Sequence, residues 1–297
     1  MRRLTVLWVV GVAACSAQTG APDAGATDAG ATMDASVTMD AGTDGGAIDA
    51  GVPPPRDGGF PHEPAGFVVL GEWNDEAGLV ADGWYDDGNP SMWGSKTRVT
   101  SGYAGAPQLG GPAVIQTFYA GGTAGGYDPG REQFNLPSGT RELFFGAELQ
   151  FKADYPTSTS SGGNKQLFVT FTGGGRYFVN LDEGAAAGKW GVYQQSTPLA
   201  DSTIDVAYGR WVLVEWYLRK DTGAGDGVMR LWIDGVLALD LTNLTFPAGD
   251  MVLAYDDGSN NGNHYPLATD PRLIGTDQGG PVDAYRWAAV LRVSAPP

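Results

Sequence analysis

The side chains best suited to chemistry sit between Gly209 and Leu244. In Trp211 to Arg219 they alternate: Val212, Val214, Trp216 and Leu218 share one face, and Trp211, Leu213, Glu215, Tyr217 and Arg219 share the other. The next run places Met229, Leu231 and Ile233 on one side and Val228, Arg230, Trp232 and Asp234 on the opposite side. The apolar sets are expected to be core. The opposite set, Glu215, Tyr217, Arg219, Arg230 and Trp232, mixes rings with charges, which suits a carbohydrate groove where C–H groups stack on rings and hydroxyls meet charged partners. Lys165 would have to converge with Arg219 and Arg230 on that face if the sugar were anionic. The plain alternative is a solvated sheet surface with cross-strand pairs.

A second constellation lies in 255–266, YDDGSNNGNHYP. Asp256, Asp257 and Asn260 offer the hard oxygen ligands that calcium takes, and His264 is the one candidate imidazole base outside the N-terminal region. A polar turn explains the same residues without a metal. Zinc is disfavoured, because only two histidines and one cysteine exist in the chain. Paired acids spaced as in a glycosidase strand, a nucleophile elbow and a phosphate-binding loop are all missing from the sequence.

These residues must be carried by strands. From Gly66 onward, apolar runs of five to eight residues are separated by Gly, Asp, Asn, Pro and Ser clusters, with no sustained 3.6-residue period. The clearest strands are 113–119, 141–152, 165–171, 177–181, 189–194, 210–219, 228–233, 236–241, 251–255 and 284–293. Asp234-Gly235 is expected to close a two-residue hairpin. The reading is all-β: one two-sheet antiparallel jelly-roll sandwich over 66–297.

Residues 16–65 are different material. Asp-Ala-Gly triplets recur with no aromatic residue before Phe60, so the stretch buries too little to offset ordering and reads as a disordered linker, stiffened by Pro53-Pro54-Pro55. About 50 flexible residues span roughly 40 Å. The chain carries a formal charge of −16; with Arg2 and Arg3 ahead of residue 16, and eight acids against Arg56 in the linker, −11 falls on the domain. An acidic domain without a cationic face makes nucleic acid an unexpected partner, and a monomer is expected. The single cysteine, Cys15, ends an apolar run, 4–14, that is too short to cross a bilayer needing roughly 20 residues. The run reads as an export signal, and no internal disulfide can form.

Val12-Ala13-Ala14-Cys15 resembles the bacterial lipobox. The resemblance implies a signal peptide over 1–15, lipidation of Cys15, a membrane partner through the lipid only, and, with Ser16 following, attachment to the outer membrane. The Gly-x-Trp strand, the strand ending Trp-Ile-Asp-Gly and the Val-Leu return strand resemble the concanavalin A-like lectin/glucanase superfamily, nearest its laminin-G-like and polysaccharide-lyase-like jelly rolls. Gly163 to Phe168 and the closing Tyr285-Arg286-Trp287 are similar to lyase-like members too. Lys189-Trp190-Gly191-Val192-Tyr193-Gln194-Gln195 resembles the alginate-lyase strand in which a tyrosine transfers protons, which implies Tyr193, Lys189 and Gln195 as catalytic candidates for β-elimination on a uronate. Two departures stand out. Gln166-Leu167-Phe168 has phenylalanine where that family has histidine, and more than 100 residues follow the tyrosine motif. The expectation is therefore a surface lipoprotein whose domain binds polysaccharide, with a polysaccharide lyase as the alternative and a structural adhesion domain as the next.

Overall fold

Core-facing alternation in the strands produces two antiparallel sheets packed face to face. A computed structural model describes residues 59–74, 83–86, 94–119, 132–153, 155, 164–181, 188–195, 197–261 and 284–297. Its strands are β1 (Val68–Asn74), β2 (Trp84–Asp86), β3 (Gly94–Val99), β4 (Val114–Tyr119), β5 (Glu132–Asn135), β6 (Glu142–Phe151), β7 (Asn164–Phe171) and β8 (Arg176–Leu181), followed by β9 (Lys189–Gln194), β10 (Thr197–Asp205), β11 (Trp211–Arg219), β12 (Gly227–Ile233), β13 (Val236–Leu244), β14 (Met251–Asn261) and β15 (Ala284–Ala295). Sheet A runs β13-β12-β11-β6-β15-β4-β3, with β1 also paired to β15. Sheet B runs β10-β9-β8-β7-β14-β5-β2. The domain is an all-β jelly-roll sandwich.

The strands expected from the sequence form within one to six residues of the boundaries given above. Five more join them, β1, β2, β3, β5 and β10. β3 and β10 are polar sheet edges, and β2 and β5 are three- and four-residue strands, so none shows a long apolar alternation.

The inner faces interlock as the period-2 pattern dictates. Trp216 of β11 lies opposite Phe145 of β6 and Leu231 of β12, and Val214 lies opposite Ala147 and Ile233. With Leu167, Val169, Val179, Trp190 and Val192 from sheet B they make one core. Trp73, Trp84, Trp190 and Trp216 are each fully buried there. Truncating such a ring costs about 3–5 kcal/mol. The β12–β13 hairpin has Asp234 at φ 50° and Gly235 at φ 77°, the paired left-handed conformation of a two-residue turn. Asp234 also accepts from the Leu213 N–H at 2.9 Å and pairs with Arg210 at 2.7 Å.

One polar group ties the two sheets through the interior. Asp256, one strand position beyond Ala254 on the inner face of β14, receives Arg286 of β15 at 2.9 and 2.7 Å, with both side chains almost wholly inaccessible. Glu132 lies directly across from Asp256 on β5 and is also buried. This corrects the calcium reading of Asp256: β14 continues past Tyr255, and the strand turns that carboxylate inward onto a guanidinium. Asp257 and Asn260 belong to the same strand, but their side chains, like His264, lie outside the described residues. So do Cys15 and residues 16–58.

The expected linker boundary at residue 65 also moves. Phe60 is 3% exposed and packs with Phe144 and Val290 on sheet A, so residues 59–65 belong to the folded body. A run of two prolines, His and Glu looks like linker by composition; its anchoring comes from residues far along the chain.

Candidate functional site

Each sheet has an outer face, and the two are built differently. On sheet A, alternation points Glu215 and Tyr217 of β11, Arg230 and Trp232 of β12, and Phe144, Gly146, Glu148 and Gln150 of β6 outward. Residues 60–67 lie across them as a strap. Phe60 fits over Gly146, where an added Cβ would sit 2.7 Å from its ring, and the guanidinium of Arg292, the cross-strand partner of Gly146, lies 5.3 Å from the ring centroid. Arg292 in turn pairs with Glu63 at 3.0 Å and with Glu72.

Glu215 is completely inaccessible; it accepts the His62 backbone N–H at 2.7 Å and meets His62 Nδ1 at 2.8 Å. Burial raises its carboxyl above the ordinary glutamate range, opposed by those two bonds. The His62 ring lies flat on Trp232, centroids 4.7 Å apart and planes 9° apart. Tyr217 donates to Glu142 at 2.6 Å and packs on Phe67. Burial first, then that bond, hold its phenol well above the ordinary range. Further along the face, Glu148 accepts the N–H groups of Gln108 and Leu109 at 2.7 and 2.8 Å, and Gln150 exchanges two bonds with the Ala104 backbone. Arg230 pairs with Asp240 at 3.0 Å, and Arg219 is exposed at the strand end.

The groove expected from Glu215, Tyr217, Arg219, Arg230 and Trp232 is therefore covered by the chain itself at Glu215, Tyr217 and Trp232, while Arg219 stays exposed and Arg230 is turned to Asp240. Those five residues do share one outer face, as alternation dictates, but Lys165 is on the other sheet and cannot converge with them. The ring and carboxylate chemistry was legible; its occupant, a segment some 150 residues earlier, was not.

Sheet B presents a row of rings instead. Tyr193 of β9 stacks on Phe178 of β8 (5.5 Å, 16°), Phe178 meets Phe168 of β7 (5.0 Å, 34°), and Phe168 stacks on Tyr255 of β14 (4.4 Å, 12°). The row follows direct cross-strand pairing, Phe178 with Tyr193 and Phe168 with both Phe178 and Tyr255. Phe168, Phe178 and Tyr255 are buried, as are the amides Gln166, Asn180 and Gln133 on the same face, while Tyr193 closes the row half-buried. Lys165 lies 5.4 Å over the Phe178 ring and Arg176 5.8 Å over Phe168, both half-buried. β7, β8 and β9 contain no acidic residue.

The elimination set is only partly brought together. Tyr193 faces outward on the row. Lys189 shares its face but sits four residues away, about 13 Å along the strand, where it pairs with Asp205 and donates to the Thr203 carbonyl at 3.2 Å. Gln195 falls in the turn after β9 at φ 56°, its side chain donating to the Gly174 carbonyl at 3.0 Å. Lys189 and Gln195 are thus corrected to local structural partners. Phe168, where the lyase-like pattern has histidine, is the middle of the ring row. The row itself escaped the sequence because Phe168 and Phe178 lie within apolar runs, where both faces read as core.

No protein-family model matches the chain, and no curated protein matches it. Among solved structures it is similar to the endo-β-1,4-glucuronan lyase of the fungus Trichoderma reesei, at 14% identity and TM-score 0.48, covering 77% of this chain and 96% of that one. It is also similar to alginate lyase Aly36B, at 16% identity and TM-score 0.45 over 77% and 96% of the chains. A third is the marine PL-14 alginate lyase from Aplysia kurodai, at 12% identity and TM-score 0.45 over 71% and 90%. The domain itself is a two-sheet jelly-roll sandwich.

Proposed function

We propose that this protein is an exported lipoprotein, anchored through Cys15 at the outer membrane, whose jelly-roll domain binds a polysaccharide on the outer face of sheet B. The observation that carries the binding reading is the ring row from Tyr193 to Tyr255, flanked by buried amides and two half-buried cations. The buried rings are the floor. Phe178 fixes the plane of Tyr193, which is accessible enough to stack on a sugar ring, while Lys165 and Arg176 stand at the rim. A glycan array or affinity electrophoresis against soluble polysaccharides tests this: Tyr193→Ala should abolish retardation that Trp232→Ala leaves intact. Equal retardation by wild type and Tyr193→Ala would move the site elsewhere.

A second reading, a polysaccharide lyase acting on uronate polymers, is favoured by one feature, the outward Tyr193 in its K-x-G-x-Y-x-Q strand. Elimination needs an acid and a base within hydrogen-bond reach of the reacting atoms, and Lys189 and Gln195 are held away from Tyr193. Incubation with alginate and pectic polymers should then yield no absorbance from unsaturated uronates; its appearance would favour the lyase. The anchor is tested separately, since Cys15→Ser should move the protein from membranes to the soluble fraction with its melting unchanged.

A further inference from the structure

We infer that Arg176 is where the outer face of sheet B recognises charge, and that the bound glycan carries anionic substituents, carboxylate or sulfate, which its guanidinium receives. This rests on the binding reading of that face. The chain has 34 acidic residues against 18 basic ones, yet β7, β8 and β9 together hold Lys165, Arg176 and Lys189 and no acid. Lys189 is satisfied by Asp205 and the Thr203 carbonyl.

Arg176 is not satisfied in this way. Its Nε is buried without an acceptor, and among the described residues its side chain makes no ion pair or hydrogen bond and lies over the Phe168 ring. Among the described residues, the other cations removed from full exposure all have partners. Arg286 has Asp256, Arg292 has Glu63 and Glu72, Arg230 has Asp240, and Lys220 has the Pro247 and Gly249 carbonyls. Lys152 and Lys165 are likewise engaged.

A guanidinium cannot shed its proton, and it carries five N–H donors in a planar fork. A ring beneath it attracts the flat face and leaves the in-plane donors unused. Such a fork matches a carboxylate or sulfate with two parallel bonds. Arg176 is also held in place, because its strand pairs it with Thr170 and its carbonyl accepts the Gln195 N–H at 3.0 Å. An unpaired, fixed donor fork in a locally acid-free strip is what an acidic domain needs if it is to hold a polyanion against its own overall repulsion.

The test is affinity electrophoresis of the intact mature protein in four gels: alginate, carboxyl-reduced alginate, dextran sulfate and dextran. The wild type should be retarded by at least one charged polymer, and which one it is separates carboxylate from sulfate. Arg176→Gln should weaken that binding about tenfold or more, the worth of a charge-assisted bond, without altering any retardation by a neutral polymer. Arg176→Lys keeps the charge and the stem, hence the fold, but as a point charge should recover only part of the affinity. Tyr193→Ala should weaken charged and neutral binding alike. Unchanged binding of the charged polymer by Arg176→Gln, or retardation of the wild type by neutral polymers alone, overturns the inference and leaves the binding reading standing. No retardation in any gel overturns both.

Discussion

The two outer faces of the sandwich use similar residue types to opposite ends. Sheet A sets out Glu215, Glu148, Tyr217 and Trp232, and the chain then lays its own backbone on them: His62 on Glu215 and Trp232, Gln108 and Leu109 on Glu148, Phe60 in the notch above Gly146. Sheet B sets out rings, amides and cations without acids on its three central-to-edge strands β7, β8 and β9. A carboxylate facing outward can recruit the N–H groups of a passing segment and become structural. A ring row offers no such acceptors to passing N–H groups, and with the Arg176 Nε left without an acceptor beside it, on the proposed reading this face is given to something outside the chain.

Removing the strap should break this comparison most severely. Deleting residues through Gly66 would expose Phe144, leave Glu215 without either His62 bond and empty the place above Gly146. The expected loss is about 4–6 kcal/mol, from a buried aromatic and an uncompensated buried carboxylate together. Urea denaturation measures it, and a loss below about 1 kcal/mol would mean the strap is merely resting on the sheet. Gly146→Val is the point version: it drives side-chain atoms into Phe60 and should cost about 1–3 kcal/mol, recovered in part by Phe60→Ala.

A smaller effect separates the faces cleanly. Trp232→Ala should cost about 1–2 kcal/mol of stability by removing the ring under His62, within the range of an aromatic pair plus partial burial, and leave polysaccharide binding unchanged. Tyr193→Ala should show the reverse, a binding loss near tenfold or more with stability altered by less than about 1 kcal/mol. The same ranking in both assays would erase the distinction between the faces.

The smallest expected effect is alkaline. Burial raises the phenols of Tyr177 and Tyr208 to about 12, with Asp221 and Tyr155 respectively as the next causes. Tyr217 is raised further under the strap. Because the folded values exceed the unfolded ones, their stabilisation is fully present below pH about 10 and is lost as pH rises toward 12. Absorbance titration should show these tyrosines silent near pH 10 in the intact domain, and deleting the strap should lower Tyr217 toward the ordinary range, with the Glu142 bond still holding it above.

Much of the fold was legible because period-2 alternation is a local property. Trp211 to Arg219 and Val228 to Ile233 divide into core and outer faces as their sequence dictates, and Asp234-Gly235 turns where its backbone freedom allows. The short and edge strands β2, β3, β5 and β10 were not legible, since three to nine residues with little apolar alternation become strands only when a neighbour supplies the hydrogen bonds. The set Glu215, Tyr217 and Trp232 was recognised as chemically capable, but capability does not name the occupant. Lys189, Tyr193 and Gln195 share a motif on paper, and the Asp205 pair and the turn after β9 separate them in space.

The amino-acid order by itself determined the all-β class, the inward and outward side of each long strand, the acidic balance of the domain and the presence of one cysteine behind a short apolar run. Which outer face is closed and which carries the ring row was decided only in three dimensions. His62 and Glu215 are 153 residues apart, and Arg286 reaches Asp256 across the two sheets. Alternation tells each side chain which way to point, but contacts between distant segments are set by how the strands are ordered in the sheets, and that order is a property of the whole packed chain.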